Sequence, residues 1–153
     1  MAAATRILVQ RGDFDIAAEV ARLKALDRDA GAIVTFTGVC RGEHGTLAAL
    51  ELEHYPGMAE AEIERIASEA AGRWPLSGIT VIHRFGRMAP GDNIVLVATA
   101  STHRQAAFEA ASFLMDFMKV SAPFWKKQHR PGDKPEWVAP NGADDAAQDR
   151  WRK

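Results

Sequence analysis

The run Ile79-Thr80-Val81-Ile82-His83-Arg84-Phe85, the turn signal Pro90-Gly91-Asp92 and the run Asn93-Ile94-Val95-Leu96-Val97-Ala98-Thr99 decide the fold. Both runs are rich in β-branched side chains, and Pro-Gly-Asp marks a reversal between them. They read as a hairpin-like pair of strands. A second pair is expected over 32–54. There, Ala32–Val39 is a continuous β-prone run, and Leu47–His54 sets Leu50 and Leu52 against Glu51 and Glu53. Helical spacing fills the intervals. Ile16, Val20, Leu23 and Leu26 predict a helix over 16–26, broken by Gly31, and Ile63, Ile66, Ala67 and Ala70 predict an amphipathic helix over 58–74, ended by Pro75. Thr102 and Gln105 fit a capping box. They open a helix to about Val120, with Ala107, Ala111, Leu114, Met115 and Met118 as its buried stripe and Pro123 as its stop. Arg6–Gln10, Phe124–Gln128 and Glu136–Val138 read as short extended pieces. Irregular alternation of strands and helices predicts an α+β single domain, with a mainly antiparallel or mixed sheet and flanking helices. Residues 1–140 form that domain. Residues 141–153 read as a polar, mobile C-terminal tail in which Trp151 could dock.

Composition narrows the class of function. The chain has 153 residues, 47% of them apolar, enough for one sizeable core. A net charge of −1 argues against a reader of nucleic-acid backbones. Cys40 is the only cysteine, so no intrachain disulfide forms. No apolar run approaches the ~18–20 residues of a membrane span, and a cytoplasmic protein is expected. No zinc spacing, P-loop, G-x-G-x-x-G or G-x-S-x-G occurs, so no metal site is expected.

Three basic elements carry the candidate chemistry. His103 and Arg104 stand at the start of the helix after Thr102, where cations oppose the dipole unless an anion neutralises them. Two solvated side chains at a strand-to-helix corner are the plainer alternative. At the other end of that helix, Lys119 is followed by Pro123-Phe124-Trp125-Lys126-Lys127. Lysines framed by large apolar groups lose hydration and become usable acids, bases or nucleophiles, whereas an ordinary Lys-Lys pair is a solvated edge. The third element is Gly38-Val39-Cys40-Arg41-Gly42 at the end of a buried strand. Arg41 there is suited to grip a phosphate or carboxylate with its planar fork, or is simply exposed in a turn. Cys40 has no recognisable base beside it and reads more readily as a small buried thiol than as a nucleophile.

Five stretches together resemble the family of molybdopterin synthase large subunits. They are Gly31-Ala-Ile-Val-Thr-Phe-Thr-Gly-Val39, Leu52-Glu-His-Tyr-Pro-Gly-Met58, Val81-Ile-His-Arg-Phe-Gly86 with Pro90-Gly91-Asp92, Ser101-Thr-His-Arg104 with Phe108-Glu-Ala110, and Lys119-Val-Ser-Ala-Pro-Phe-Trp-Lys-Lys127. The similarity runs from about residue 6 to 138. It implies an α/β-hammerhead fold and a central homodimer that carries a small ubiquitin-like sulfur-carrier subunit at each end, a heterotetramer. It further implies sulfur transfer from the carrier's C-terminal Gly-Gly thiocarboxylate to cyclic pyranopterin monophosphate, forming the dithiolene of molybdopterin with no other cofactor. On this resemblance Lys119 and Lys126 are the expected catalytic residues. Val39, Cys40, Arg41, His103, Arg104, Lys119, Lys126, Lys127 and Gln128 are the expected substrate contacts, with His103 and Arg104 serving the other protomer's pocket. The loop 42–46 is shorter than the family pattern, and Cys40 lies outside it. Two other readings compete: a docking module for a ubiquitin-like tail, and a cyclic-phosphate esterase or cyclase using His103.

Overall fold

Strand β6 (Asn93–Ser101) is the spine of the molecule, paired antiparallel to β4 (Leu76–Arg84) on one side and β2 (Ala32–Val39) on the other. The computed structural model describes residues 3–138 and 142–152. β1 (Ala4–Gln10) adds in parallel to β4, giving a first sheet of order β1-β4-β6-β2. Period-two alternation sends Ile79, Val81, Val95 and Val97 to one face of this sheet. Helices α2 (Met58–Arg73) and α3 (Arg104–Ser121) cover that face with Ile63, Ile66, Ala110, Phe113 and Leu114, all fully buried. Helix α1 (Ile16–Leu26) lies on the opposite face, where Leu23 packs on Ala98 and Ala100. Asp15 caps α1, its carboxylate accepting from the Ala18 N–H at 3.0 Å.

A second sheet, ordered β5-β3-β7-β8, stands beside the first and is antiparallel throughout. It is built from β3 (Ala49–His54), β5 (Gly86–Met88), β7 (Phe124–His129) and β8 (Glu136–Trp137). The chain passes from β4 into β5 through Phe85, and Gly86 makes the change of sheet with φ +94, a left-handed conformation that glycine adopts without strain. The α+β class with mixed and antiparallel pairing is therefore as expected.

Three local expectations change. β2 and β3 do not pair with each other, because Glu43, His44 and Gly45 take positive φ values (49, 57 and 84) and turn the chain off the first sheet. The capping box at Thr102 is not made. β6 runs on to Ser101, whose Oγ donates to the Pro75 carbonyl, so His103 becomes the N-cap with no side-chain bond. The tail is not simply a mobile polar segment: Gly142–Asp149 forms helix α4, while Asn141 lies outside the described residues. Trp151 docks edge-on to Trp74 and Phe113, and its indole N–H donates to Asp116 at 2.6 Å.

Phe113 joins α3 to Trp74, Phe117 and Trp151. Phe113→Ala should therefore cost about 3–5 kcal/mol of unfolding free energy. The midpoint and slope of urea denaturation check this, and a loss below about 1 kcal/mol would mean that the cluster is not the core.

Candidate functional site

The candidate site lies on the seam between the two sheets, where three chain segments end or turn. Each presents its residues for a local reason. At the end of β2 the pairing with β6 slips between Gly38 and Val39, and the Pro90-Gly91-Asp92 turn holds the residue beyond the slip. The Cys40 N–H donates to the Asp92 carbonyl and the Gly91 N–H to the Cys40 carbonyl, both at 2.8 Å. This ladder fixes Cys40 and leaves the next side chain, Arg41, exposed, with no hydrogen bond or ion pair to a described residue. Lys119 stands in the last turn of α3, where a cation suits the dipole. Ala122 ends that helix, and Pro123 starts the chain into β7.

On β7 the strand period separates neighbours in sequence. Phe124, Lys126 and Gln128 share one face, while Trp125, Lys127 and His129 share the other. Val39, Cys40, Arg41, Lys119, Lys126 and Gln128 line one open chamber of about 500 Å³. Lys127 turns away. It lies opposite Glu51 on β3, and its ammonium sits 4.6 Å from the Trp137 ring centroid. Both Lys119 and Lys126 are exposed at the chamber rather than shut in among apolar groups. The carboxylate on the chamber wall, Glu43, is engaged by Arg130 at 2.6 Å, which pins the 42–46 loop to the end of β7. His103 and Arg104 are exposed at the far end of α3, about 22 Å from Lys119 by the rise per residue, and join no part of this chamber.

Adjoining the chamber lies a smaller recess of about 130 Å³, sharing Val39, Leu50, Lys119, Phe124 and Lys126 with it and further lined by Phe36, Met115 and His83. In the sequence His83 falls within the stretch Val81–Gly86 that bears the resemblance but is given no role there, since a lone histidine in an apolar strand is usually a packed core residue. Its ring stacks on Phe124 with centroids 3.8 Å apart, and Phe124 and Phe85 also contact His54. Burial first, then the positive charges of Lys119 and Lys126 and the neighbouring His54, lower its pKa to about 4 against the Arg84 carbonyl bond, which acts the other way. Cys40 is buried with its thiol 4.0 Å from the Met88 carbonyl, and burial together with Asp92 raises its pKa, so it stays a protonated thiol. Among the described residues no cluster of three His, Cys, Asp or Glu that could hold a metal occurs, and no helix is long and apolar enough to cross a membrane.

Fold and site together define an α+β domain with a chamber lined by three cations that adjoins a smaller, more apolar recess, the kind of concavity in which small-molecule sites are found. The MoaE protein family matches residues 9–121. A molybdopterin synthase catalytic subunit from Rhizobium meliloti is 64% identical over all of this chain and 99% of its own length. The solved MoaE protein of Burkholderia ambifaria superposes with a TM-score of 0.83 at 47% identity, covering 96% of this chain and 97% of that one. A chain in the complex of subunits 1 and 2 of the Helicobacter pylori molybdopterin-converting factor shares the fold, with a TM-score of 0.70 at 19% identity, covering 88% and 89%. The chain belongs to the MoaE family of molybdopterin synthase catalytic subunits, in molybdenum cofactor biosynthesis.

His83 is neutral in the folded chain down to about pH 4, while in the unfolded chain it takes up a proton below about 6.5. It therefore contributes stability above pH 6.5 that is lost as the pH falls towards 4. The stability gap between the native chain and His83→Gln should narrow over that window in urea melts. A gap that is constant from about pH 7 to about pH 4 would contradict the half-buried neutral imidazole.

Proposed function

We propose that this chain transfers sulfur from the C-terminal thiocarboxylate of a small ubiquitin-like carrier subunit to cyclic pyranopterin monophosphate, in the cytoplasm and as the homodimeric core of a heterotetramer. The observation that carries the reading is the convergence of Arg41, Lys119 and Lys126, from three separate elements, on one chamber whose wall carboxylate is already engaged by Arg130. Such a chamber is matched to two anions, a cyclic phosphate and a thiocarboxylate. In each transfer the carrier's sulfur bonds to a pterin side-chain carbon as a C–O bond at that carbon breaks, the oxygen leaving as water or as the opened phosphate ester. Water then adds to the resulting thioester carbonyl, the acyl C–S bond breaks, and the carrier leaves as a carboxylate. Arg41 holds the phosphate. Lys119 stands at the carrier's carbonyl and stabilises the oxyanion of the tetrahedral intermediate, and Lys126 moves protons or binds substrate. Cys40, buried and protonated, contributes wall and backbone rather than a nucleophile.

The test is to mix the chain with thiocarboxylated carrier and the cyclic pterin, and to track molybdopterin through its fluorescent oxidised derivative. Product should require both additions and fall by about 10²–10³ in Lys119→Ala. Full turnover by that variant with normal carrier binding would overturn the assignment. Carrier binding without product from the native chain would leave only a docking module.

His103 and Arg104 belong to the same reading through the dimer. Both are exposed, and the pocket of their own chain lies at the other end of α3. Each completes the partner's chamber. Arg104→Ala and Lys119→Ala should each be inactive, while a re-equilibrated mixture should recover on the order of a quarter of native activity, since half the dimers then carry one intact site. Absence of recovery, with subunit exchange demonstrated, would put both residues outside the site.

A further inference from the structure

The side chains around the recess are unequal in what they offer a ligand. Lys119 and Lys126 can only donate hydrogen bonds, the aliphatic and phenyl groups offer none, and the thioethers of Met115 and Met118 accept only weakly. His83 is the one strong side-chain acceptor there. Its tautomer is set by geometry. Nδ1 lies 2.9 Å from the Arg84 carbonyl oxygen, which can only accept, so Nδ1 carries the proton and donates it. Nε2 is then the nitrogen with the available lone pair, and no described residue donates to it. The ring cannot swing, because it is stacked on Phe124 at 3.8 Å with an interplanar angle of 14°.

We propose that His83 is a specificity-determining residue of the pocket, its Nε2 accepting a hydrogen bond from a ring N–H or O–H of the substrate lodged in the recess. The inference rests on the proposed sulfur-transfer reading and deepens it, by saying which part of the substrate enters where. A dry apolar cavity of about 150 Å³ takes a benzene-sized ring. The recess, at about 130 Å³, takes one flat ring edge while the anionic end of the ligand stays in the outer chamber with Arg41. A heterocycle with an N–H on its buried edge satisfies the histidine, and an analogue lacking that donor leaves Nε2 covered and unpaired. Burial first, and the two lysines after it, keep the imidazole from taking a proton of its own, so the acceptor is preserved at neutral pH.

The experiment is a calorimetric titration of cyclic pyranopterin monophosphate into the native chain, His83→Phe and His83→Gln, with product formation measured in parallel. Phenylalanine keeps the stack on Phe124 and removes the acceptor, whereas glutamine restores a carbonyl oxygen at similar reach. Expected is a Kd about tenfold weaker in His83→Phe, recovered by at least half in His83→Gln. KM should track Kd and kcat should change less. Both variants lose stability at neutral pH, so the control is that carrier affinity is unchanged in both and that pterin affinity follows the presence of the acceptor, recovered in His83→Gln, and not the melting temperature. Equal pterin affinity in native and His83→Phe would overturn this inference and leave the sulfur-transfer reading standing. A native chain that neither binds nor converts the pterin would overturn that reading, and this inference with it.

Discussion

Helix α3 buries Ala107, Ala110, Phe113 and Leu114 against the first sheet, and Met118 one turn before its end. Through that contact the rigid half of the molecule sets the geometry of the other half. The helix fixes Lys119 in its last turn, and three residues later the chain must leave as β7. β7 in turn pairs with β3 over six residues, so Lys126 has its position set from both ends. The burial of Phe113, Leu114 and Met118 on α3, each contributing about 1.5–3 kcal/mol, thus offsets the cost of placing cations close together.

That cost is electrostatic. Arg41, Lys119 and Lys126 come from three segments and gather around one chamber with like charge. The net charge of the chain is only −1, so the basic character is local and not a property of the whole surface. The nearby acids are committed elsewhere: Glu43 to Arg130 at 2.6 Å, Glu51 to His129 at 2.9 Å on the opposite face of the sheet. His129 first, and Lys127 and Arg87 more weakly, lower the pKa of Glu51, so this carboxylate stays ionised and occupied. The chamber is left with an excess of donors, the condition under which an anion binds well.

The elements were legible wherever a local period decided them. α1 and β2 fall on the boundaries read from the sequence, and α2, β6 and α3 fall within two residues. What failed was pairing and context. Nothing between 40 and 48 announces left-handed backbone at Glu43 and His44, so β2 and β3 read as partners when each belongs to a different sheet. β5 is three residues long and carries no period of its own. α4 looked like a tail because its stability comes from what surrounds it, namely Trp151 on Phe113 and Gln148 on Ser121, rather than from a long apolar face. In the site, Lys119, Lys126 and Arg41 were legible as basic residues beside strand and helix ends. The opposite facing of Lys126 and Lys127 needed the strand register to be seen, and His83 needed its stack on Phe124.

The division into chamber and recess bears on how two different anions could use one site in turn. The recess is apolar apart from His83 and the two lysine ends, and desolvating a charge there would cost several kcal/mol. A ligand's charged end is therefore better placed in the chamber, beside Arg41, than in the recess. On the proposed reading, the pterin occupies the recess with its phosphate outward, and the carrier's thiocarboxylate arrives from solvent on the side where Lys119 and Lys126 are exposed. Both lysines line both compartments. On that same reading they stand where the reacting carbon and the incoming sulfur meet, and the exposed face lets the spent carboxylate leave without displacing the ring. If the proposed reading holds, a site that accepts sulfur twice on one substrate needs that asymmetry, with the ring held in the smaller recess and the carrier exchanged through the larger chamber.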